Sequence, residues 1–175
     1  MTPVEGTLVR LRAVEPADID AMYRWENDPA VWRVSGTLTP FSRHQLARFV
    51  EEQQFDLFQT RQQRLIIERL TDGAAIGTFD LFEIDPLNGR AGLGLLIYPA
   101  EARGQGCATD ALGIVCRYAR DVLRLHQLWG NAGAANAASR ALLCSAGFRE
   151  VGVKRDWNWS PEGYTDEIFY QKILE

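Results

Sequence analysis

No stretch of this sequence approaches the roughly 20 consecutive apolar residues that a membrane-spanning helix needs. The opening MTPVEGTLVRLRA also lacks the apolar core of a signal peptide. A cytoplasmic chain with no membrane partner is the expectation. Cysteine is scarce: Cys107, Cys116 and Cys144 cannot all pair with one another, so no disulfide framework is expected and all three read as small packing residues. His44 and His126 are the only histidines and neither has metal-ligand spacing to other donors, so no metal is expected. Positive charge is in deficit, with 19 Lys and Arg against 23 Asp and Glu and a net charge of −4, which excludes a general nucleic-acid binder and favours a cationic partner. A G-x-G-x-x-G run is missing, and no Lys-Ser/Thr follows a glycine loop, so the dinucleotide fingerprint and the nucleoside-triphosphate loop are both excluded. Repeats, linkers and low-complexity tracts are absent as well.

What is present fits one domain over residues 1–175, long enough to bury a core without disulfides or metal. Thr7 to Arg12 alternates and reads as a strand, and Pro16 starts a helix with Ile19, Met22 and Tyr23 on one face. Ser42 and Gln45 have capping-box spacing ahead of Leu46, Phe49, Val50 and Leu57, which predicts a second helix. Arg64 to Leu70, Ala75 to Ile84 and Leu93 to Tyr98 are apolar runs separated by Thr71-Asp72-Gly73 and Asn88-Gly89, a three-strand meander. Leu125 to Gly130 follows as a strand, Asn136 caps a helix that Gly147 ends, and Phe148 to Trp157 and Thr165 to Leu174 close the chain as strands around a Ser160–Gly163 turn. The order β-α-α-β-β-β-α-β-α-β-β implies an α/β (α+β) fold, a mixed sheet with helices on both faces.

The most informative segment is Ala102 to Ala119, ARGQGCATDALGIVCRYA. An arginine and two close glycines run into a helix with an apolar stripe at Ala108, Ala111, Leu112, Val115 and Ala119. The first turn of a helix presents unpaired amides and a positive dipole end, and Gly104 and Gly106 let that backbone approach a bulky diphosphate. The segment reads as a phosphate cradle behind an apolar strand.

These residues resemble the GNAT superfamily of acyl-CoA-dependent N-acyltransferases, whose signature is Arg or Gln, two residues, Gly, one residue, Gly or Ala; Arg103, Gly106 and Ala108 match it. The likeness extends through LRAVEPADIDAMYRWENDP, the strand before the loop, and NAASRALLCSAGF from Asn136 to Phe148. The long first strand and the late asparagine–serine helix look like the branch that acetylates ribosomal-protein N-termini and also contains polyamine acetyltransferases. The resemblance implies a mostly antiparallel sheet of about seven strands, with a β-bulge splaying the strand before the loop to open a V-shaped acyl-CoA slot. It implies that the amides of Arg103, Gly104, Gln105, Gly106, Cys107 and Ala108 hold the pyrophosphate of acetyl-CoA. The backbone of Leu95, Leu96 and Ile97 would pair with pantetheine, the Leu96 and Ile97 amides would stabilise an oxyanion, and Asn136 and Ser139 would line the far side.

Two features common in that family are missing: a glutamate on the strand before the loop is Gly92 here, and a tyrosine of the later helix is Leu143. An alkyl amine with a pKa of about 10.4 cannot attack until it loses a proton. Asp80 and Glu83 are the replacement base candidates, on opposite sides of their strand by its period of two, and Tyr164 is a further candidate beside the acceptor. Trp25, Glu26 and Asp28 in WENDPAVW could hold a cationic amine by charge and cation–π contact. The expected activity is acetyl transfer to a primary amine, either a small molecule such as a polyamine or a protein N-terminus, with a homodimer left open. Two other readings stay open: a non-catalytic acyl-CoA-binding domain and an antibiotic-modifying acetyltransferase.

Overall fold

A seven-stranded sheet in the order β1-β2-β3-β4-β5-β7-β6 organises the computed structural model, which describes residues 4–175. Met1, Thr2 and Pro3 of the opening segment lie outside the described residues. The strands are β1 Val9–Ala13, β2 Gln63–Arg69, β3 Ala75–Asp85, β4 Arg90–Ile97, β5 Gln127–Gly133, β6 Arg149–Ser160 and β7 Gly163–Ile173. Every neighbouring pair is antiparallel except β4 and β5. The helices are α1 Ile19–Glu26, α2 Pro29–Ser35, α3 Arg43–Glu52, α4 Leu57–Thr60, α5 Cys107–Asp121 and α6 Ala137–Ser145. None of them is long and apolar enough to cross a membrane.

The two faces of the sheet are covered unequally. On one face α5 buries Ala111, Leu112, Val115 and Ala119 against Leu11, Ile67, Phe79, Leu81 and Leu128, each large side chain contributing about 1.5–3 kcal/mol by leaving water. On the other face Met22 of α1 and Leu46 of α3 cluster with Val14 and Ile66. Strand alternation puts Phe82, Gly92, Gly94, Trp129, Asn131 and Phe169 on that second face. None of them joins either apolar cluster, so half of this face stays uncovered.

The segment between β1 and β2 holds four helices where the sequence predicts two. Proline cannot continue a helix interior, so α1 stops at Glu26; Asp28 then caps α2 by accepting from the Ala30 amide at 2.8 Å, and Gly36, with φ +71°, ends it. Leu57 likewise leaves the second predicted helix, because Asp56 accepts from the Phe58 amide and starts α4. The capping box at Ser42 and Gln45 forms as expected. Cys107 and Cys116 are buried, whereas Cys144 is exposed, contrary to its reading as a packing residue: it occupies a solvent-facing position of α6.

Arg12 fastens the first turn to the sheet. Its guanidinium donates to both Asp18 oxygens at 2.8 Å and, through Nε, to Glu68 on β2 at 2.5 Å. Burial alone would raise the Asp18 pKa, but Arg12 and the Glu15 amide outweigh it and hold the carboxyl below its ordinary 3.8. A carboxyl with a depressed native pKa stabilises the fold above its unfolded pKa and loses that contribution as pH falls through the native value. Asp18→Asn is therefore expected to cost about 2 kcal/mol at pH 7. In thermal melts the gap to the parent chain should narrow as pH drops below about 3.8.

Candidate functional site

β4 and β5 pair only at Arg90–Gln127, Ala91–Leu128 and Gly92–Trp129. Beyond Gly92, β4 continues to Ile97 against β3 alone. The Tyr98 amide donates to the Ile76 carbonyl at 3.0 Å, and ladder alternation then turns Leu96 and Gly94 toward β3 and Leu95 and Ile97 toward the gap. Leu95 thus offers an amide and a carbonyl to the opening, and Ile97 an amide. The expected role of the Leu96 amide is corrected, since its bonding direction is toward Thr78. The expected bulge also moves: Glu83 and Ile84 of β3 both oppose Ala91, so the extra residue lies on β3 and not on β4.

Immediately after β4 the chain turns through Gly104, with φ +72°, and Gly106, with φ +85°, into α5. A side chain at Gly104 would meet no atom within 4 Å, so this loop faces open space. The first backbone bond of α5 runs from the Asp110 amide to the Gly106 carbonyl, and the amides from Gly104 to Thr109 have no acceptor among the described residues. These are the unpaired donors a diphosphate needs. Asp110, the acid of that first turn, points elsewhere: it accepts from the Leu8 amide at 2.7 Å and the Val9 amide at 3.0 Å. Burial would raise its pKa, but these amides hold it low. Arg103 commits its guanidinium to the strand end, donating to the carbonyls of Ile97 and Tyr98 at 2.8 Å each. Gln105 donates to the Glu101 carbonyl, and Cys107 is buried.

Across the gap, Asn136 caps α6 by accepting from the Ser139 amide at 3.1 Å. Its NH₂ and the Ser139 hydroxyl have no protein partner. Leu143 is a core residue.

The uncovered half of the second face holds a cleft of about 900 Å³ lined by Phe82, Glu83, Asp85, Trp129, Phe169 and Gln171, among others. Trp129 joins the two phenyl rings, edge-on to Phe82 at 5.2 Å and stacked on Phe169 at 5.7 Å. The base candidates have different fates. Asp80, level with Gly94 and one residue from Leu95, gives both oxygens to Arg64, at 2.7 and 2.9 Å. Glu83 sits on the bulge with φ +48°, and its carboxylate has no partner among the described residues. The bulge also overturns the period-two argument, because Glu83 and its neighbour Phe82 line the same cleft. Glu83 is level with Ala91, roughly 13 Å along β4 from Leu95, so it reaches the opening only through water. Tyr164 is 65% exposed at the β6–β7 turn and does not line the cleft.

Of the acceptor candidates, Asp28 is committed to capping α2. Trp25 stacks on Tyr98 with centroids 4.5 Å apart, and Glu26 accepts from Arg64 Nη1 at 2.5 Å. The sequence reading missed Arg64 and Tyr98; both look like ordinary strand residues, and only the register brings them to Glu26 and Asp80.

Gly92 stands where the family's glutamate is expected, and the two rings explain the exchange. A Cβ there would lie 2.4 Å from Phe82 Cε2 and 2.7 Å from Trp129 Cζ2. Among the described residues no group of His, Cys, Asp and Glu could hold a metal ion.

Comparison with known proteins agrees with this arrangement. Residues 9–149 match the family described as acetyltransferase (GNAT) domain. A curated relative, "Putative ribosomal N-acetyltransferase YdaF" of Bacillus subtilis (strain 168), is 32% identical over 104 residues, covering 59% of this chain. That match spans only 56% of the relative's own length. Among solved structures, the spermidine N-acetyltransferase of Vibrio cholerae in complex with CoA and spermine superposes with a TM-score of 0.85 at 20% identity, covering 95% of this chain and 96% of that one. A dodecameric structure of a spermidine N-acetyltransferase from Vibrio cholerae gives 0.78 at 20% identity over 95% and 94%. These likenesses place the fold.

Restoring the glutamate by Gly92→Glu should cost about 1–3 kcal/mol, because the rings must leave their packed positions. Urea unfolding followed by the fluorescence of Trp129 and its fellows checks this, a midpoint equal to that of the parent chain being the contrary result.

Proposed function

The chain belongs to the GNAT acetyltransferase family, and from that premise we propose that it transfers an acetyl group from acetyl-CoA to a primary amine by direct attack in a ternary complex. The observation that carries this reading is the gap where β4 leaves β5, with the Leu95 amide and carbonyl turned into it. An extended pantetheine arm, with its own amides, suits such a half-finished strand pair. Gly104 to Thr109 supply the amides for the diphosphate, and Arg103 fixes the strand end beside them. The free NH₂ of Asn136 and hydroxyl of Ser139 face the same arm from β5's end.

Acetyl-CoA supplies an acyl group already activated as a thioester. The Ile97 amide is the donor for negative charge developing on its carbonyl oxygen, a role that is worth several kcal/mol where water is excluded. An N–C bond forms as the C–S bond breaks, and the proton lost by nitrogen balances the one taken by the departing thiolate. Glu83, the unpaired carboxylate of the cleft, receives the nitrogen's proton through water. Asp80 does not serve as the base, since Arg64 holds both its oxygens.

The acceptor is a polyamine or a protein N-terminus, in keeping with the named relatives. We place the protein in the cytoplasm. Association with further copies belongs to the same proposal, supported by β6, an open edge strand carrying exposed Trp157 and Trp159.

Thiol release in the presence of acetyl-CoA and a panel of polyamines and N-terminal peptides tests the activity. Turnover with at least one amine is expected; acetyl-CoA binding with no turnover across the panel would mark a binding domain instead. In Gly106→Ala, the positive φ and a Leu8 methyl 3.2 Å from the added carbon distort the loop. The KM for acetyl-CoA should rise about tenfold while the acceptor KM holds.

A further inference from the structure

Arg64 is the centre of a cluster on the second face that the transfer reaction as described above does not use. Its backbone amide is fixed by the Gln53 side-chain carbonyl at 2.9 Å, and its guanidinium lies 5.2 Å from the Phe49 ring centre. Nε and Nη2 engage Asp80, and Nη1 engages Glu26 Oε1. One guanidinium faces two carboxylates, so the cluster carries one negative charge in excess.

The excess resides where a donor is missing. The Glu26 side chain is only 8% exposed, yet Oε2 has no hydrogen-bond partner among the described residues. No side-chain polar atom that is fully buried lacks a partner among the described residues, so Oε2 keeps some contact with solvent. The negative field is felt next door: burial and the Glu26 charge together push the Tyr98 phenol up to about 12. Trp25 lies flat on that same Tyr98 ring, so an aromatic wall stands beside the carboxylate. Gly94 adjoins the cluster: the atoms nearest a Cβ there are Phe82 Cε1 at 3.8 Å and Asp80 Cβ at 4.0 Å.

We propose that the Glu26–Arg64–Asp80 cluster is a specificity site for acceptors bearing a second positive charge, with Glu26 Oε2 receiving an ammonium of the acceptor other than the nitrogen that reacts. This rests on the acetyltransferase reading. The reacting nitrogen must be neutral to attack, and a buried carboxylate would keep it protonated; the charge that completes the cluster is therefore a different one. Asp80 is level with Gly94, beside the gap, so a short alkyl spacer between the two nitrogens spans the distance. Arg64 cannot itself be displaced by the ligand, being held by Asp80, Phe49 and Gln53 at once.

Calorimetry of 1,3-diaminopropane and of propylamine, each titrated into the protein saturated with CoA, reads the site without turnover. The parent chain should bind the diamine about tenfold more tightly, the scale of one carboxylate–ammonium contact. Glu26→Gln keeps an acceptor oxygen for Arg64 but removes the excess charge, and should bring the two affinities together. Arg64→Lys keeps the charge while losing the fork and should retain the preference. A parent chain that binds both amines equally overturns the proposal, with or without a folded variant. So does a Glu26→Gln protein that still binds CoA and keeps the preference. If Arg64→Lys loses the preference along with CoA binding, the cluster is a structural tie and the proposal falls. Absence of thiol release from acetyl-CoA across the whole panel of amines and N-terminal peptides would instead overturn the acetyltransferase reading, since none of these heats depends on chemistry.

Discussion

Two parallel strands that part after three residue pairs govern this molecule. A backbone amide or carbonyl turned away from its ladder is costly unless something else satisfies it, and β4 carries such groups at Leu95 and Ile97 in the middle of the sheet. The rest of the architecture keeps the parting open. The β3 ladder holds β4 from one side as far as Ile97, Arg103 clasps its last carbonyls, and α5 packs beneath with the glycine turn at its head. β5 meanwhile is carried off by its antiparallel ladder with β7, which runs its whole length. The gap is thus a property of two well-paired ladders and not of a weak one.

Much of this was legible in the sequence, because its signals are local. The Ser42–Gln45 box, the Asn136 cap and the turn residues around the meander each act within four residues, and each forms as the spacing predicts. The cradle was legible for the same reason: glycines at 104 and 106 and the helix behind them are one continuous segment. What escaped is what depends on register. Arg64 and Asp80 are 16 residues apart along the chain and face each other only because β2 and β3 pair as they do. The β3 bulge, which turns Glu83 to the same cleft as Phe82, has no glycine to announce it. The Asp28-Pro29 start of α2 is a local signal of the ordinary kind, an N-cap followed by proline at the first helical position.

Gly92 shows how a family feature can be absent for a reason of packing. The strand yields its side chain so that Phe82 and Trp129 can close over it, and Phe169 extends the aromatic surface across β7. The same exchange removes a carboxylate from beside the gap. The nearest carboxylate, Asp80, belongs to a charge cluster, and the free one, Glu83, sits further down the strand. The two acids thereby stand in different environments, Asp80 paired with Arg64 and Glu83 on the β3 bulge.

The carboxylate at the head of α5 has a consequence of its own. An acid in a helix's first turn would repel any incoming anion, but the Asp110 carboxylate is turned to the Leu8 and Val9 amides at the start of β1, which solvate its charge. The mouth of the helix therefore stays electrically attractive, and its orientation is welded to the first strand of the sheet. Residues separated by 101 and 102 positions in the chain form a single rigid bracket. Any sequence drift that loosened the amino-terminal strand would also shift the mouth of α5, so the two ends of that bracket depend on each other.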